Sequence, residues 1–214
     1  MSRGMRGLAA CAMLLAAVCV APATTAAGSA DAGVHAKAGA KANAPARNDA
    51  ALWAALRKGG HIILIRHAAT EPGMGDPPGY TIEDCKTQRN LSVQGREDAK
   101  RLGEMLKRNN VPVGEVKSSL WCRCLDTAML AFGRVDAWSA LNNFFDAPHL
   151  EGAATEAVRA RFAMLKPAGP NVVMVTHGVN IAALSGLSPG TAEMIILKPN
   201  GTKTPPVVGR LYAK

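Results

Sequence analysis

Two short apolar runs, each ending directly in a histidine, constrain this chain more than any other feature. The first is Ile62-Ile63-Leu64-Ile65, followed at once by Arg66 and His67. The second is Asn171-Val172-Val173-Met174-Val175-Thr176, followed by His177 and Gly178. Runs this short and this rich in β-branched residues suit buried strands. A strand that hands a cation and an imidazole to its carboxyl end is how an α/β sheet presents a site to a ligand.

The intervening sequence supplies helices. Asp49 to Lys58 reads as a helix capped by Asp49 and stopped by Gly59-Gly60. Ser92 caps an amphipathic helix to about Asn109, with Ala99, Leu102, Met105 and Leu106 on the buried face. Glu97–Arg101 and Glu104–Arg108 are spaced as i,i+4 pairs on its outer side. Val113 to Lys117 reads as a strand. Ser118-Ser119 is placed to cap a helix from Leu120 to Phe132. A brief strand near Val135–Trp138, a helix from Ala153 to Leu165 and a short helix from Val179 to Ser185 follow. Glu193–Lys198 and Val207–Tyr212 read as two closing strands. Strands alternating with helices predict a three-layer α/β/α sandwich with a mostly parallel central sheet. In such a sheet both histidines reach the same carboxyl edge.

The amino terminus does not belong to that domain. Arg3 and Arg6 precede an unbroken apolar run from Leu8 to Val20, and Ala21-Pro22-Ala23 and Thr25-Ala26-Ala27 offer small-residue cleavage sites. Residues 1–27 therefore read as a secretory signal peptide. The run is too short to span a bilayer, which takes about 20 residues, so no transmembrane segment is expected after cleavage. Residues 28–48 are Ala, Gly, Lys and Ser with almost no large apolar side chain, the composition of a disordered linker. The folded domain is expected at residues 49–214, and the protein in the periplasm or outside the cell.

Export bears on the cysteines and on the charge. Cys11 and Cys19 leave with the signal peptide, and Cys85, Cys122 and Cys124 remain. In an oxidising compartment one disulfide and one spare thiol are expected. Cys122 and Cys124 point to different sides of a helix, so Cys85 pairs with one of them. Cys-x-Cys with one distant Cys is poor spacing for zinc, and no metal or other cofactor is expected. Net charge is +9, of which +6 lies beyond residue 50. A basic exported domain suits a phosphorylated partner. Aromatic residues make up only 4% and no basic run is interleaved with them, which argues against a stacking platform for nucleic acid. The tryptophans Trp53, Trp121 and Trp138 read as packing, and His61 and His149 as structural.

Residues 68–90 form a Gly- and Pro-rich connection of more than 20 residues. Loops of that length in compact domains usually line or cover a site. Two arginines sit beside strand-to-helix transitions, Arg66 and Arg123. Guanidinium forks match phosphoryl oxygens, and a helix start after His177, at Gly178, would aim backbone N–H groups at the same place. Arg89 either reaches this pocket from the loop or anchors the next helix.

Leu64-Ile65-Arg66-His67, then Arg89-Asn90-Leu91-Ser92-x-x-Gly95, then Ser118-Ser119-x-x-x-Arg123-x-x-x-Thr127-Ala128, then Val175-Thr176-His177-Gly178 stand in an order that resembles the histidine phosphatase superfamily, of phosphoglycerate mutase-like fold. The resemblance covers about residues 60–212. It implies that His67 is the nucleophile that becomes phosphohistidine. Arg66, Arg123, His177 and Gly178 would bind the phosphoryl group. The acid that protonates the leaving group would be Asp146, with Glu193 and Glu151 as rivals. Imidazole attacks when neutral, and phosphoryl transfer is mainly positioning and charge stabilisation, so these residue types suit the task. Where the family usually has Arg-His-Gly, Ala68 follows His67, at an energetic cost if that position needs a positive φ.

The expected activity is that of an exported, metal-independent phosphatase acting on a phosphomonoester, with a small or envelope-associated phosphorylated substrate. Lipopolysaccharide-core phosphate phosphatases of the superfamily are the candidate at the level of resemblance. The alternative is a non-catalytic phosphate- or phosphoglycan-binding module of the same fold, supported by Ala68 and the unplaced acid.

Overall fold

The structure, a computed structural model, describes residues 49–212. The signal peptide expected at residues 1–27 and the linker at 28–48 lie outside the described residues.

The first helix, α1 (Asp49–Lys58), ends at Gly59-Gly60. Both glycines have positive φ, 75° and 69°, and a Cβ at Gly59 would stand 2.2 Å from the Gly169 carbonyl oxygen. The stop is thus a close crossing of two chain segments, which only glycine allows. The crossing leads into β1 (Ile62–Arg66).

After the long loop come α2 (Val93–Arg108), β2 (Val113–Ser118), α3 (Cys122–Phe132), β3 (Asp136–Ala137), α4 (Glu151–Met164), β4 (Asn171–Thr176), α5 (Gly178–Ser185), β5 (Glu193–Leu197) and β6 (Val207–Tyr212). The six strands form one sheet in the order β3-β2-β4-β1-β5-β6. β3, β2, β4 and β1 run parallel, and β5 and β6 close the other edge antiparallel. The two histidine-bearing strands are neighbours, with Ile62 opposite Val172 and Arg66 opposite Thr176. That register brings His67 and His177, the next residue on each strand, to one edge.

Alternation along β1 divides the core. Ile63 and Ile65 join Leu56 of α1, Ala99, Leu102 and Leu106 of α2, and Cys124 and Ala128 of α3. Ile62 and Leu64 join Val158 and Phe162 of α4 and Ile181 and Leu184 of α5. Ile62 to Ile65 of β1 are fully buried, so both faces of the sheet are covered and the three layers follow.

Local details depart from the sequence-based expectations. The predicted Glu97–Arg101 pair does not form. Glu97 pairs with Lys100 and Arg101 with Asp98, while Glu104–Arg108 forms as expected. Ser118 and Ser119 do not cap α3, which starts at Cys122 after Trp121. Gln88 of the long loop reaches over instead and accepts the Cys122 N–H at 2.9 Å. The disulfide forms between Cys85 and Cys122, with Cα atoms 5.7 Å apart, and ties the same loop to the same helix end. Cys124 is a buried free thiol. Among the described residues no helix is long and apolar enough to cross a membrane.

Candidate active site

The parallel strands deliver their terminal residues to an open cavity of about 440 Å³. Arg66, His67, Arg123, His177 and Gly178 line it, with Arg89, Asn143 and the loop residues 73–75. A cleft outside the carboxyl ends of parallel strands is where ligands enter such sheets. The two imidazoles sit edge to face, ring centroids 5.4 Å apart.

His67 continues the β1 ladder, donating its N–H to the Thr176 carbonyl at 3.0 Å. Its Nδ1 lies 2.9 Å from the Ala68 carbonyl oxygen. A carbonyl can only accept, so Nδ1 carries the proton and Nε2 keeps a lone pair. Burial, with the nearby charges of Arg123, Arg66 and Arg89, lowers the His67 pKa to about 3, although the Ala68 bond acts the other way. At neutral pH the ring is uncharged and nucleophilic.

Ala68 is fully buried and is not among the non-glycine residues of positive φ, which are Asn110 and Ala192. Alanine at this position therefore carries no left-handed strain. Its N–H donates to Thr127 Oγ1 at 3.0 Å, and that hydroxyl donates to the Arg123 carbonyl at 2.6 Å. The Thr127 of the third motif thus clamps the nucleophile's strand end to the helix that carries Arg123.

His177 is held by the two serines' turn. Ser119 Oγ lies 2.9 Å from His177 Nε2 and 3.3 Å from Asn142 Oδ1. When the hydroxyl donates to Nε2, the ring proton sits on Nδ1 as a donor for a phosphoryl oxygen. Burial, followed by His67 and the arginines, holds the His177 pKa well below the ordinary range. Cys124 Sγ is 3.5 Å from the same Nε2; burial pushes its pKa up to about 12, so it remains a thiol. Trp121, expected to be packing, is buried in the core and packs its ring edge to face against His177, centroids 5.5 Å apart.

The arginines are held by different means. Arg66 donates from Nη1 to the Pro189 carbonyl at 2.9 Å. Arg123, 2% exposed, is gripped by Asp76, whose side chain is fully buried. Nη1 donates to Oδ1 at 2.7 Å and Nη2 to Oδ2 at 3.1 Å. Trp121 Nε1–H and the Arg89 N–H also donate to this carboxylate, each at 3.0 Å. Burial pushes the Asp76 pKa up, but the hydrogen bonds from Arg123 and Arg89 and the Arg123 charge outweigh it, and the net direction is down. The Nε atoms of Arg66 and Arg123 are buried without a hydrogen-bond partner. Unpaired buried donors are costly. Of its two possible roles Arg89 takes the first, lining the cavity; its side chain donates to the carbonyls of Gly73 and Gly75 and to Thr70 Oγ1, so it braces the long loop and not α2.

The three candidate acids are not among the cavity residues. Asp146 is exposed and lies beyond Phe145. Glu193 is fully buried in a pair with Arg210 and accepts the Gly190 N–H at 2.7 Å. Glu151 is exposed and lines a neighbouring hollow with Pro148. Asp76 was not anticipated, because nothing local in Gly75-Asp76-Pro77 distinguishes it from a turn residue. Its neighbour Arg123 is 47 positions away. Among the described residues no group of three or more His, Cys, Asp or Glu side chains is arranged to hold a metal ion.

A family model described as histidine phosphatase superfamily (branch 1) matches residues 62–166. No match is found among curated proteins. Solved structures are similar in fold. One is the product of open reading frame Rv3214 from Mycobacterium tuberculosis, 18% identical, with a TM-score of 0.56 over 72% of this chain and 98% of that one. Another is YhfR of Bacillus stearothermophilus, 21% identical, with a TM-score of 0.53 over 70% and 95%. A third is the mycobacterial glucosyl-3-phosphoglycerate phosphatase Rv2419c in complex with inorganic phosphate, 19% identical, with a TM-score of 0.51 over 72% and 98%.

Proposed function

The chain belongs to the histidine phosphatase superfamily, and from that premise we propose that it is an exported, metal-independent phosphatase hydrolysing a phosphomonoester through a phosphohistidine on His67. The observation that carries this reading is the 2.9 Å contact between His67 Nδ1 and the Ala68 carbonyl. It leaves Nε2 as the free lone pair in a cavity that is also lined by three guanidinium groups and a second imidazole.

In the first step the Nε2 lone pair attacks phosphorus, and the bond to the leaving oxygen breaks with its electron pair. In the second, water attacks phosphorus and the P–N bond pair returns to Nε2. Phosphate departs as the dihydrogen ion, and His67 is neutral again. Arg66, Arg123 and the His177 ring proton meet the charge on the equatorial oxygens. Preorganised donors of this kind are the main source of rate in phosphoryl transfer. Arg89 adds positive potential at the mouth.

Export is supported by the signal-like residues 1–27 and is compatible with the Cys85–Cys122 disulfide. A small or envelope-associated phosphorylated substrate follows from that location and from the open, basic cavity. The rival reading as a phosphate- or phosphoglycan-binding module loses one of its supports, since Ala68 sits without positive φ.

The test is turnover of p-nitrophenyl phosphate by the full chain and by His67→Ala. Turnover that vanishes in the variant is the expected result. No turnover by either protein, with inorganic phosphate still bound in calorimetry, supports the binding module instead.

A further inference from the structure

The chemistry of the cavity wall narrows the leaving group. Among the described residues that line the cavity there is no carboxylate. Asp76, the carboxylate that grips Arg123, accepts four N–H bonds, two from Arg123 and one each from Trp121 and Arg89. A fully buried carboxylate so engaged has no proton to give and no free oxygen to take one. Both imidazoles are occupied in the reaction already, His67 as nucleophile and His177 as a donor to the phosphoryl group.

The segment between β3 and α4 presents Asn143 to the cavity. It is firmly placed. Thr176 Oγ1 donates to the Leu141 carbonyl at 2.6 Å, Asn180 Nδ2 donates to the Asn142 carbonyl at 2.8 Å, and Asn142 Oδ1 accepts the Leu120 N–H at 2.9 Å. Asn143 Oδ1 accepts the Phe145 N–H at 3.0 Å, which leaves its amide N–H groups as donors. An amide can hydrogen-bond a leaving oxygen but cannot protonate it. Met74, Phe145, Val179, Ala182 and Pro189 make part of the rim apolar, and Ser188 adds a hydroxyl, which is too weak an acid to protonate a leaving oxygen.

We propose that the cavity selects phosphoryl compounds whose leaving oxygen departs as a stable anion, namely aryl phosphates and the terminal phosphoryl of phosphoanhydrides, over esters of alkyl alcohols. This rests on the phosphatase reading above. When His67 Nε2 attacks such a phosphorus, the P–O bond pair stays on the leaving oxygen, which exits as phenolate or phosphate. No proton donor enters the balance. An alkyl ester would have to expel an alkoxide, and the missing general acid is worth about 10²–10⁴-fold in rate.

The experiment uses the full chain and two substrate sets. One is a series of aryl phosphates graded by the acidity of the phenol. The other is isopentenyl diphosphate against isopentenyl monophosphate, which share one alcohol. We expect kcat/KM to climb steeply with phenol acidity, and the diphosphate to exceed the monophosphate by at least about 10²-fold. Asn143→Glu places an acid on the rim. It should narrow the gap between diphosphate and monophosphate and give kcat/KM for the monophosphate a basic limb absent from the wild type. A flat dependence on phenol acidity, or a monophosphate turned over within about tenfold of the diphosphate, overturns the inference and leaves the phosphatase reading standing. A protein that turns over none of these compounds refutes both.

Discussion

Asp76→Ala removes the carboxylate that grips Arg123. The two side chains are 0% and 2% exposed, so solvent cannot take the carboxylate's place without opening the site. Breaking a buried ion pair by deleting one partner costs about 3–5 kcal/mol, because the surviving charge is left desolvated. Here the loss also strands the Trp121 indole N–H and the Arg89 backbone N–H. For a domain of this size each kcal/mol moves the melting midpoint by about 2–4 °C, so a fall of about 6–20 °C is expected. The assay is urea unfolding at pH 7 with thermal unfolding beside it, run on Asp76→Ala, Arg123→Met and the double variant. Removing both charges should cost less than the sum of the single losses, since no buried ion is then unpaired. The pairing also has a pH signature. The folded Asp76 pKa lies below its ordinary 3.8. Its contribution is therefore whole above that value and is lost as pH falls through the folded pKa. A loss under about 1 kcal/mol for Asp76→Ala, or strict additivity in the cycle, would mean that the pair is screened and that Arg123 is held by something else.

Further outcomes follow from other contacts. Cys85→Ser with Cys122→Ser opens a closure of 37 residues and should lower stability by about 2–4 kcal/mol in urea unfolding, equal to the effect of a reductant on the wild type. A Cβ at Gly95 would stand 1.8 Å from the Ala69 carbonyl oxygen. Gly95→Ala should therefore cost at least about 1–3 kcal/mol and depress p-nitrophenyl phosphate turnover, because Ala69 is two residues from His67. The His67 ring, with its pKa lowered to about 3, should show no titration of its ring protons by NMR between pH 5 and 8. The unfolded ring, at its ordinary 6.5, binds a proton that the folded one refuses. Stability should hence be whole above pH 6.5 and decline toward pH 3, the slope shrinking in His67→Ala.

Much of the frame was legible in the sequence because it depends on local pattern. Ile62–Ile65 and Val172–Val175 are short, mostly β-branched runs, buried except for the half-buried Val172, and their length and composition favour a strand. That both histidines reach one edge followed from the parallel sheet; that the two strands are neighbours, with Arg66 opposite Thr176, did not follow from local pattern. Arg123 and Gly178 were placed by their position at helix starts. What failed depended on contacts distant in sequence. Ser118-Ser119 has the composition of a helix cap, yet Gln88 from the loop takes the first N–H of α3, and Ser119 Oγ meets His177, Asn142 and the Trp121 N–H instead. Asp76 sits in a stretch that reads only as a turn, and its meaning comes from Arg123. Asp146 stands after a strand, where the resemblance puts the acid; of the same segment, Asn143 and Phe145 are the residues that line the cavity.

The most direct test of a nucleophilic His67 is to catch the phosphoryl group on it. The full chain is mixed rapidly with p-nitrophenyl phosphate, quenched in alkali, where phosphohistidine survives and phosphoserine chemistry does not confuse it, and mapped by peptide mass spectrometry. A single phosphoryl adduct on the peptide holding His67, absent from His67→Ala and formed within the turnover time, is the expected result. Turnover by the wild type with no adduct on that peptide, or turnover retained in His67→Ala, would contradict a phosphohistidine mechanism at this site.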